Sequence, residues 1–197
     1  MNNVKASECD LVTIRSGASE LGALAVAMLN GEVVGIRFGY SSERAAVAAL
    51  LKTTYLAESK DVTGQASRHD DDLADDLLER LQRYADGEPV DFSDVPVAID
   101  HLSTFQRRVV KACRAIPAGQ RRSYGELAAK AGSPGAARAV GSVMANNRVP
   151  LVVPCHRVVT SGGKLGGFSA PQGLAMKKRL LALEAEAVGF DTERKLF

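Results

Sequence analysis

The 197-residue sequence contains no tryptophan, only three cysteines and no long apolar run. A membrane-spanning helix needs about 20 consecutive apolar residues, and the first five residues show no apolar signal core. The cysteines, at Cys9, Cys113 and Cys155, are odd in number and too scattered for a disulfide framework. These absences predict a cytoplasmic protein, nucleoid-associated if bacterial, that has free thiols and no membrane partner.

Overall composition is that of an ordinary globular protein. Hydrophobic residues make up 46% of the chain and charged residues 24%, which excludes disordered and fibrous proteins. The length suits one domain or two small ones. We predict two: an N-terminal α/β domain with its linker over residues 1–100, and a second domain over residues 101–197.

Charge is divided unevenly between these two halves. Residues 1–100 contain 9 Lys and Arg against 18 Asp and Glu, whereas residues 101–197 contain 16 against 5. A strongly basic half is typical of a protein that meets a polyanion such as nucleic acid. The alternative is that the two halves simply attract each other.

The first half is expected to contain a hairpin and two helices. Apolar runs at 22–28 and 32–38 are joined by Asn30-Gly31, a pair that suits a tight hairpin turn. Ser42 is a candidate N-cap for a following helix, and residues 73–85 repeat leucine at helical spacing. The acidic run at 70–72 begins that second helix, where the helix dipole favours negative charge, so a metal site there is the weaker interpretation.

The second half contains three sequence patterns that are typical of helix starts. Ser103 and Ser123 each begin a capping-box pattern, and Ser133-Pro134 places a cap residue before a proline suited to the first helical position. Helices over 124–131 and 135–146, separated by a tight turn, have the size of a helix-turn-helix. An ordinary helical hairpin fits this pattern equally well.

The densest chemistry follows these helices. Pro150 and Pro154 bracket a β-branched run, so Cys155 is expected in a fixed, non-helical turn. His156 and Arg157 place a base and a permanent cation beside a thiol that must lose its proton to become a nucleophile. The alternative is a buried core cysteine next to a surface histidine.

Residues 154–158, Pro-Cys-His-Arg-Val, resemble the active-site signature of the 6-O-alkylguanine-DNA alkyltransferases, also called methylated-DNA-protein cysteine methyltransferases. Other segments match in the family's order and approximate spacing: residues 121–129, 136–141, 147–150, 166–169 and 180–184. The resemblance is strong over residues 70–187 and holds only in outline before them.

This resemblance implies a fold and a reaction. The fold is a small ribonuclease-H-like α/β domain followed by a helical, winged-helix-like domain whose helix-turn-helix enters the DNA minor groove. The reaction is a DNA repair step, in which the protein irreversibly moves an alkyl group from 6-O-alkylguanine, and also from 4-O-alkylthymine, to its own cysteine. The resemblance further implies a monomer that acts on double-stranded DNA, turns over once and needs no cofactor.

The resemblance also implies a catalytic role for several residues. Cys155 would attack the alkyl carbon, and His156 would remove the thiol proton through a bound water. Glu184 would orient His156, and Asn147 would hold the segment before the cysteine in place. Tyr124 would hydrogen-bond the guanine ring and crowd the phosphate.

The DNA-facing residues follow from the same resemblance. Arg138 would occupy the space that the rotated base leaves, while backbone groups at Cys155, Val158 and Ser169 would hold the base edge. Ser123 and Ala137, at the starts of the two short helices, are further candidate DNA contacts.

Departures from the family pattern concern the substrate pocket and metals. Phe168 replaces a different aromatic residue found in several relatives, and the loop at 170–172 is longer than in the human-type enzymes, so tolerance of bulky alkyl groups is open. Cys9, His69 and His101 do not reproduce the spacing of a zinc site, so no metal is expected. Cys113 falls within the helix expected over 105–114 and is interpreted as a core residue.

Two other function classes share some of these features. A cysteine hydrolase would also use Cys155 and His156, but it gives no reason for a helix-turn-helix or a basic half. A DNA-binding protein without chemistry, like the alkyltransferase-like lesion sensors, explains the basic half, but such proteins lack the reactive cysteine. The presence of Cys155 therefore favours the transferase.

Overall fold

The computed structural model describes residues 12–52 and 68–189, so Cys9 lies outside the described part. An antiparallel sheet in the first half contains strands β1 (Thr13–Gly17), β2 (Ala23–Leu29) and β3 (Glu32–Tyr40) in that order. The hairpin at Asn30-Gly31 is confirmed, since the φ angles are 51° and 78°, both left-handed. Strand β1 is a strand that the sequence patterns did not indicate.

Strand β2 is buried on both faces, which explains its unbroken apolar sequence. Alternate residues, beginning with Ala23, face helix α1 (Glu43–Leu51), and the others, beginning with Leu24, face helix α2 (Arg68–Ala85). Because side chains alternate across a strand, a strand covered on both faces must be apolar throughout. The Ser42 N-cap of α1 is confirmed, its side chain accepting from the amide of Ala45.

The acidic start of α2 has a structural use. Asp70 is 3% exposed, and its two carboxylate oxygens accept from the amides of Asn30 and Gly31 at 3.1 and 2.6 Å. Asp71 pairs with Arg15 of β1 at 2.8 Å. The helix begins at Arg68, two residues before the acidic run that is predicted to begin it. Its first turn fastens the hairpin to the helix.

In the second half, described as far as residue 189, the chain forms four α-helices and a short parallel strand pair. The helices are α3 (Thr104–Arg114), α4 (Tyr124–Lys130), α5 (Ala137–Ala145) and α6 (Leu174–Ala187), and the strands are β4 (Arg122–Ser123) and β5 (Val158–Val159). Cys113 is fully buried in α3, as expected of a core residue.

Helix caps in this half match the sequence at two of three places. The capping boxes at Ser103 and Ser123 are both formed. The predicted cap at Ser133 is wrong: α5 begins at Ala137, and its N-cap, Ala136, makes no side-chain cap bond. Gly135 adopts a φ of 88°, a left-handed conformation that interrupts the helix after Pro134.

The two halves share one continuous core. Leu24 and Leu81 from the first half belong to the same buried cluster as Leu127 and Leu180 from the second. Backbone contacts cross as well, since the amide of Ile36 in β3 donates to the carbonyl of Arg148 at 2.9 Å. The division into domains at residue 100 stays a prediction.

Replacing Asp70 with Ala should lower the free energy of unfolding by about 3 kcal/mol, because hydrogen bonds to a charged group contribute about 1.5–3 kcal/mol each. Urea denaturation measures this change. Asp72→Ala, an exposed aspartate in the same turn, should stay within about 0.5 kcal/mol of the wild type. Equal losses for the two variants would contradict the role of Asp70.

Candidate active site

Cys155 begins a single turn of 3-10 helix (Cys155–Arg157) that follows Pro154. The amide of Arg157 donates to the carbonyl of Pro154 at 2.9 Å, and the amide of Cys155 donates to that of Val153 at 2.8 Å. The expectation of a non-helical turn is therefore corrected: proline supplies a fixed φ at the start, and one i to i+3 bond closes the turn. The thiol is placed by backbone geometry and is only 6% exposed.

Asn147 holds the segment that precedes the cysteine. Its side-chain nitrogen donates to the carbonyl of Val153 at 2.8 Å, and its side-chain oxygen accepts from the amide of Val149 at 3.1 Å. One amide side chain thus ties both ends of the run together, as the resemblance implies for this residue.

His156 and Glu184 form a buried pair behind the thiol. Nε2 of His156 lies 2.7 Å from Oε1 of Glu184, and both side chains are 1% exposed. A carboxylate accepts, so Nε2 carries the proton and Nδ1 carries the lone pair. Nδ1 is buried and has no hydrogen-bond partner among the described residues, which leaves it as the nitrogen able to take a proton.

The Glu184 carboxylate is surrounded by donors. Arg157 reaches Oε1 through Nη2 at 2.7 Å and Oε2 through Nε at 3.0 Å, and Tyr84 donates its hydroxyl to Oε1 at 2.9 Å. The amide of Gly119 adds a bond to Oε2 at 3.3 Å. Burial alone would raise the pKa of Glu184, but the bonds and charges of His156 and Arg157 outweigh it and hold that pKa below its usual range.

Burial sets the resting protonation of the two reacting groups. It raises the pKa of the Cys155 thiol, while the Asn147 hydrogen bond and the charge of Lys177 act in the opposite direction. Burial also lowers the pKa of His156, although Glu184 opposes the shift. The resting pair at neutral pH is therefore a thiol and a neutral imidazole.

A cleft of about 420 Å³ opens onto Cys155, a volume within the range of ligand pockets. Its walls come from Tyr124 of α4, the last turns of α5, and the loop containing Phe168 and Ser169. Phe168 packs against Phe38 of β3 with ring centroids 6.4 Å apart, so the first half supports one wall. Gly166 lies so close to Tyr124 that an added Cβ would sit 2.9 Å from the phenol oxygen.

Residues 104–186 match the family model described as 6-O-methylguanine DNA methyltransferase, DNA binding domain. A methylated-DNA–protein-cysteine methyltransferase of Methanopyrus kandleri is 50% identical over 108 residues, which cover 55% of this chain and 78% of that protein. This chain belongs to that family. The resemblance found in the sequence is confirmed.

Two further relatives extend the comparison. A methyltransferase of the same name from Mycolicibacterium paratuberculosis is 49% identical over 107 residues, a match that spans 54% of this chain and 62% of the relative's length. The crystal structure of Mycobacterium tuberculosis OGT in complex with DNA is 32% identical, covers 88% of this chain and 93% of its own, and superposes with a TM-score of 0.66. The predicted fold class, an N-terminal sheet domain followed by a helical domain, is confirmed.

The methyltransferase resemblance named two groups of site residues, and the structure places them differently. Tyr124, Cys155 and Ser169 line one cleft. Arg138 lies exposed on α5, one turn before Gly141, which lines the cleft. Of the remaining candidates, Ser123 is the N-cap of α4 and Ala137 is the first residue of α5, whereas Val158 begins β5, is fully buried and does not belong to the lining of the cleft.

Lys177 is a residue of this site that the sequence patterns missed. It is 0% exposed, and its Nζ donates to the carbonyl of Val158 at 2.6 Å. Arg157, interpreted from the sequence as the cation beside the thiol, is instead paired with Glu184. The cation whose charge opposes the upward shift of the Cys155 pKa is Lys177. In the sequence, Lys177 looks like part of an ordinary basic surface run.

The described part of the chain contains neither a cluster of metal ligands nor a membrane-spanning helix. Across residues 12–52 and 68–189, no group of three His, Cys, Asp or Glu could hold a metal ion. Over the same residues, no helix is long and apolar enough to cross a membrane.

Lys177 should make stability depend on pH. Burial lowers its pKa from 10.5 to about 8, so between these values the unfolded chain binds a proton that the folded chain lacks, and the free energy of unfolding rises with pH. The difference between wild type and Lys177→Met should therefore shift in favour of the wild type as pH increases through this window. Urea denaturation at both ends of the window measures it.

Lys178→Met provides the control, because Lys178 is the exposed neighbour of Lys177. Its difference from the wild type should stay constant over the same window. A constant difference for Lys177→Met as well would show that Lys177 keeps an ordinary pKa.

Proposed function

We propose that this protein repairs DNA by transferring an alkyl group from the 6-oxygen of guanine to the sulfur of Cys155. The observation that carries the proposal is that Cys155 lines a cleft and is followed directly by His156, which pairs with Glu184, in a chain of the methyltransferase family. Alkyl groups on the 4-oxygen of thymine present the same reacting carbon and are a second substrate.

The chemical step is an in-line displacement. His156 accepts the thiol proton on Nδ1 through a bound water, and the sulfur attacks the alkyl carbon. A sulfur–carbon bond forms, the carbon–oxygen bond breaks, and its electron pair passes to the guanine. Charge developing on the purine is met by hydrogen bonding from the Tyr124 hydroxyl and from the backbone near Ser169.

Burial supports the assignment of Tyr124 as a hydrogen-bond donor to the purine. The pKa of Tyr124 is raised, mainly by burial, so the phenol keeps its proton and can donate it. The Glu184 carboxylate, kept ionised by Arg157, stabilises the imidazolium that forms when His156 takes the thiol proton.

The base must leave the duplex for this chemistry to occur, because the 6-oxygen of a paired guanine cannot reach a sulfur held inside a protein. We assign the helix pair α4 and α5 to the minor groove, with Arg138 filling the space of the rotated base. Ser123 and Ala137, at the starts of those helices, contact the sugar-phosphate backbone of the DNA. The protein acts as a monomer, as the family resemblance implies.

The protein should act once. A thioether on Cys155 is a very poor leaving group, and the other described cysteine, Cys113, is fully buried with its pKa raised by burial. With excess duplex DNA containing 6-O-methylguanine, repair should stop at about one equivalent per protein molecule, which intact-mass measurement and peptide mapping would place on Cys155. His156→Ala and Glu184→Ala should slow the approach, roughly a hundredfold for loss of a general base, without changing the plateau.

Cys113→Ala is the matched control for Cys155→Ala, and only the second should abolish transfer. Repair of more than one equivalent of DNA would contradict the assignment as a transferase and would favour a hydrolytic Cys-His enzyme. Methylation found on Cys113 would refute the assignment of the acceptor.

Arg138→Ala should slow repair of duplex DNA much more than reaction with the free base 6-O-benzylguanine, because a free base needs no flipping. Duplex binding should also weaken and show a shallower salt dependence, since each phosphate neutralised releases counterions. Arg44→Ala, an exposed arginine on α1, serves as the control and should leave both rates unchanged. Equal losses on both substrates would show that Arg138 does not replace the base.

A further inference from the structure

Tyr84 belongs to α2 in the first half of the chain, yet its hydroxyl lies in the active site. It donates to Oε1 of Glu184 at 2.9 Å and sits 3.5 Å from Nε2 of His156. We propose that Tyr84 is a positioning residue for alkyl transfer, and that through it the N-terminal half completes the active site by fixing the Glu184 carboxylate against His156. This inference rests on the proposed function and adds a role for the first half.

Packing of the Tyr84 ring and of helix α2 holds the tyrosine hydroxyl in place. Tyr84 is 4% exposed, and its ring packs edge-on against Phe92 with centroids 5.9 Å apart. Leu77 and Leu81 fix the same helix in the shared core. Because a tyrosine side chain has only two torsions, this packing leaves the hydroxyl little freedom.

Oε1 of Glu184 is where the two halves meet chemically. His156 and Arg157 approach this oxygen from the second half, each at 2.7 Å, and Tyr84 approaches it from the first. A glutamate side chain has three torsions, so each fixed donor narrows the orientations that the carboxylate can adopt. Removing the hydroxyl would free Oε1 to move relative to the imidazole.

The Tyr84 hydroxyl also weakens the interaction between the Glu184 carboxylate and a protonated His156. An oxygen that already accepts from Tyr84 is a weaker partner for an imidazolium, so the hydroxyl helps keep His156 neutral and able to receive a proton. The charged and titratable groups around this imidazole are Glu184 and Lys177 on α6, Arg157 and Cys155 on its own turn, and Tyr84 on α2. Burial keeps the pKa of Tyr84 well above its usual value, so it stays a donor.

Packing alone does not account for a tyrosine here. A phenylalanine would keep the ring contact with Phe92 and the burial of the helix. A buried hydroxyl costs free energy unless it is hydrogen-bonded. Among the described residues, the Tyr84 hydroxyl lies within hydrogen-bonding distance of Glu184 and His156 only. The hydroxyl is therefore matched to the catalytic pair.

The test is Tyr84→Phe in the full chain, with S-methylation of Cys155 by DNA containing 6-O-methylguanine followed by intact mass from acidic to alkaline pH. The rate at neutral pH should fall by up to about threefold, because a rise of about one unit in the pKa of His156, from below its usual 6.5, protonates part of the imidazole at pH 7. The acidic limb of the profile should move to higher pH, so that alkaline pH restores much of the rate. The plateau should remain at one equivalent.

Two comparisons separate positioning from stability. Leu77→Ala, a buried residue of the same helix, should lower the melting temperature and leave the acidic limb in place. In a Glu184→Gln background, Tyr84→Phe should cause no further loss, because the hydroxyl acts through that carboxylate. An unchanged limb in Tyr84→Phe, or a full additional loss in the Glu184→Gln background, would overturn the proposal.

Iodoacetamide distinguishes failure of this inference from failure of the proposed function. It alkylates the Cys155 thiol without DNA, and the acidic limb of that reaction should also move in Tyr84→Phe. A wild type that never accepts methyl groups from DNA but shows this shift would refute the transferase while supporting the role of Tyr84. No shift with either reagent would refute the role of Tyr84.

Discussion

The buried carboxylate of Glu184 is the constraint around which the active site is arranged. A carboxylate that is 2% exposed is costly unless charge and hydrogen bonds surround it. Arg157 supplies the countercharge, and donors from α2, the loop before β4 and the 3-10 turn supply the bonds. The same set of contacts orients the histidine, fixes the end of α6 and joins the two halves, so neither half can shift without disturbing the base.

Charge around the thiol is arranged differently from what the sequence suggests. The arginine next to the histidine is neutralised by Glu184, so it contributes little to the sulfur, whereas a lysine from α6 sits within electrostatic reach of it. No ion pair involving Lys177 occurs among the described residues. A buried cation without a carboxylate is well suited to a site in which negative charge appears on sulfur for a short time.

Local patterns predicted local structure well. The Asn30-Gly31 turn and both serine capping boxes depend on neighbouring residues only, so they could be read from the sequence and are confirmed. The cap at Ser133 failed because one left-handed glycine outweighed a favourable cap and proline. Cys155 and His156 stood out because they are adjacent, whereas Glu184 was reached only through the family resemblance. Tyr84 could not be found this way, since no local pattern ties a helix tyrosine to a carboxylate 100 residues later.

That separation has a consequence for the order in which the site is assembled. Ribosomes add about 5–20 residues per second, so on the order of ten seconds pass between synthesis of Tyr84 and synthesis of its partner. His156 is also synthesised before its partner, because Glu184 lies 28 residues further along the chain. A nascent chain therefore carries the cysteine before its base is oriented, and the thiol gains its reactivity only when α6 docks onto α2. Folding itself thus acts as the activation step of the proposed acceptor thiol.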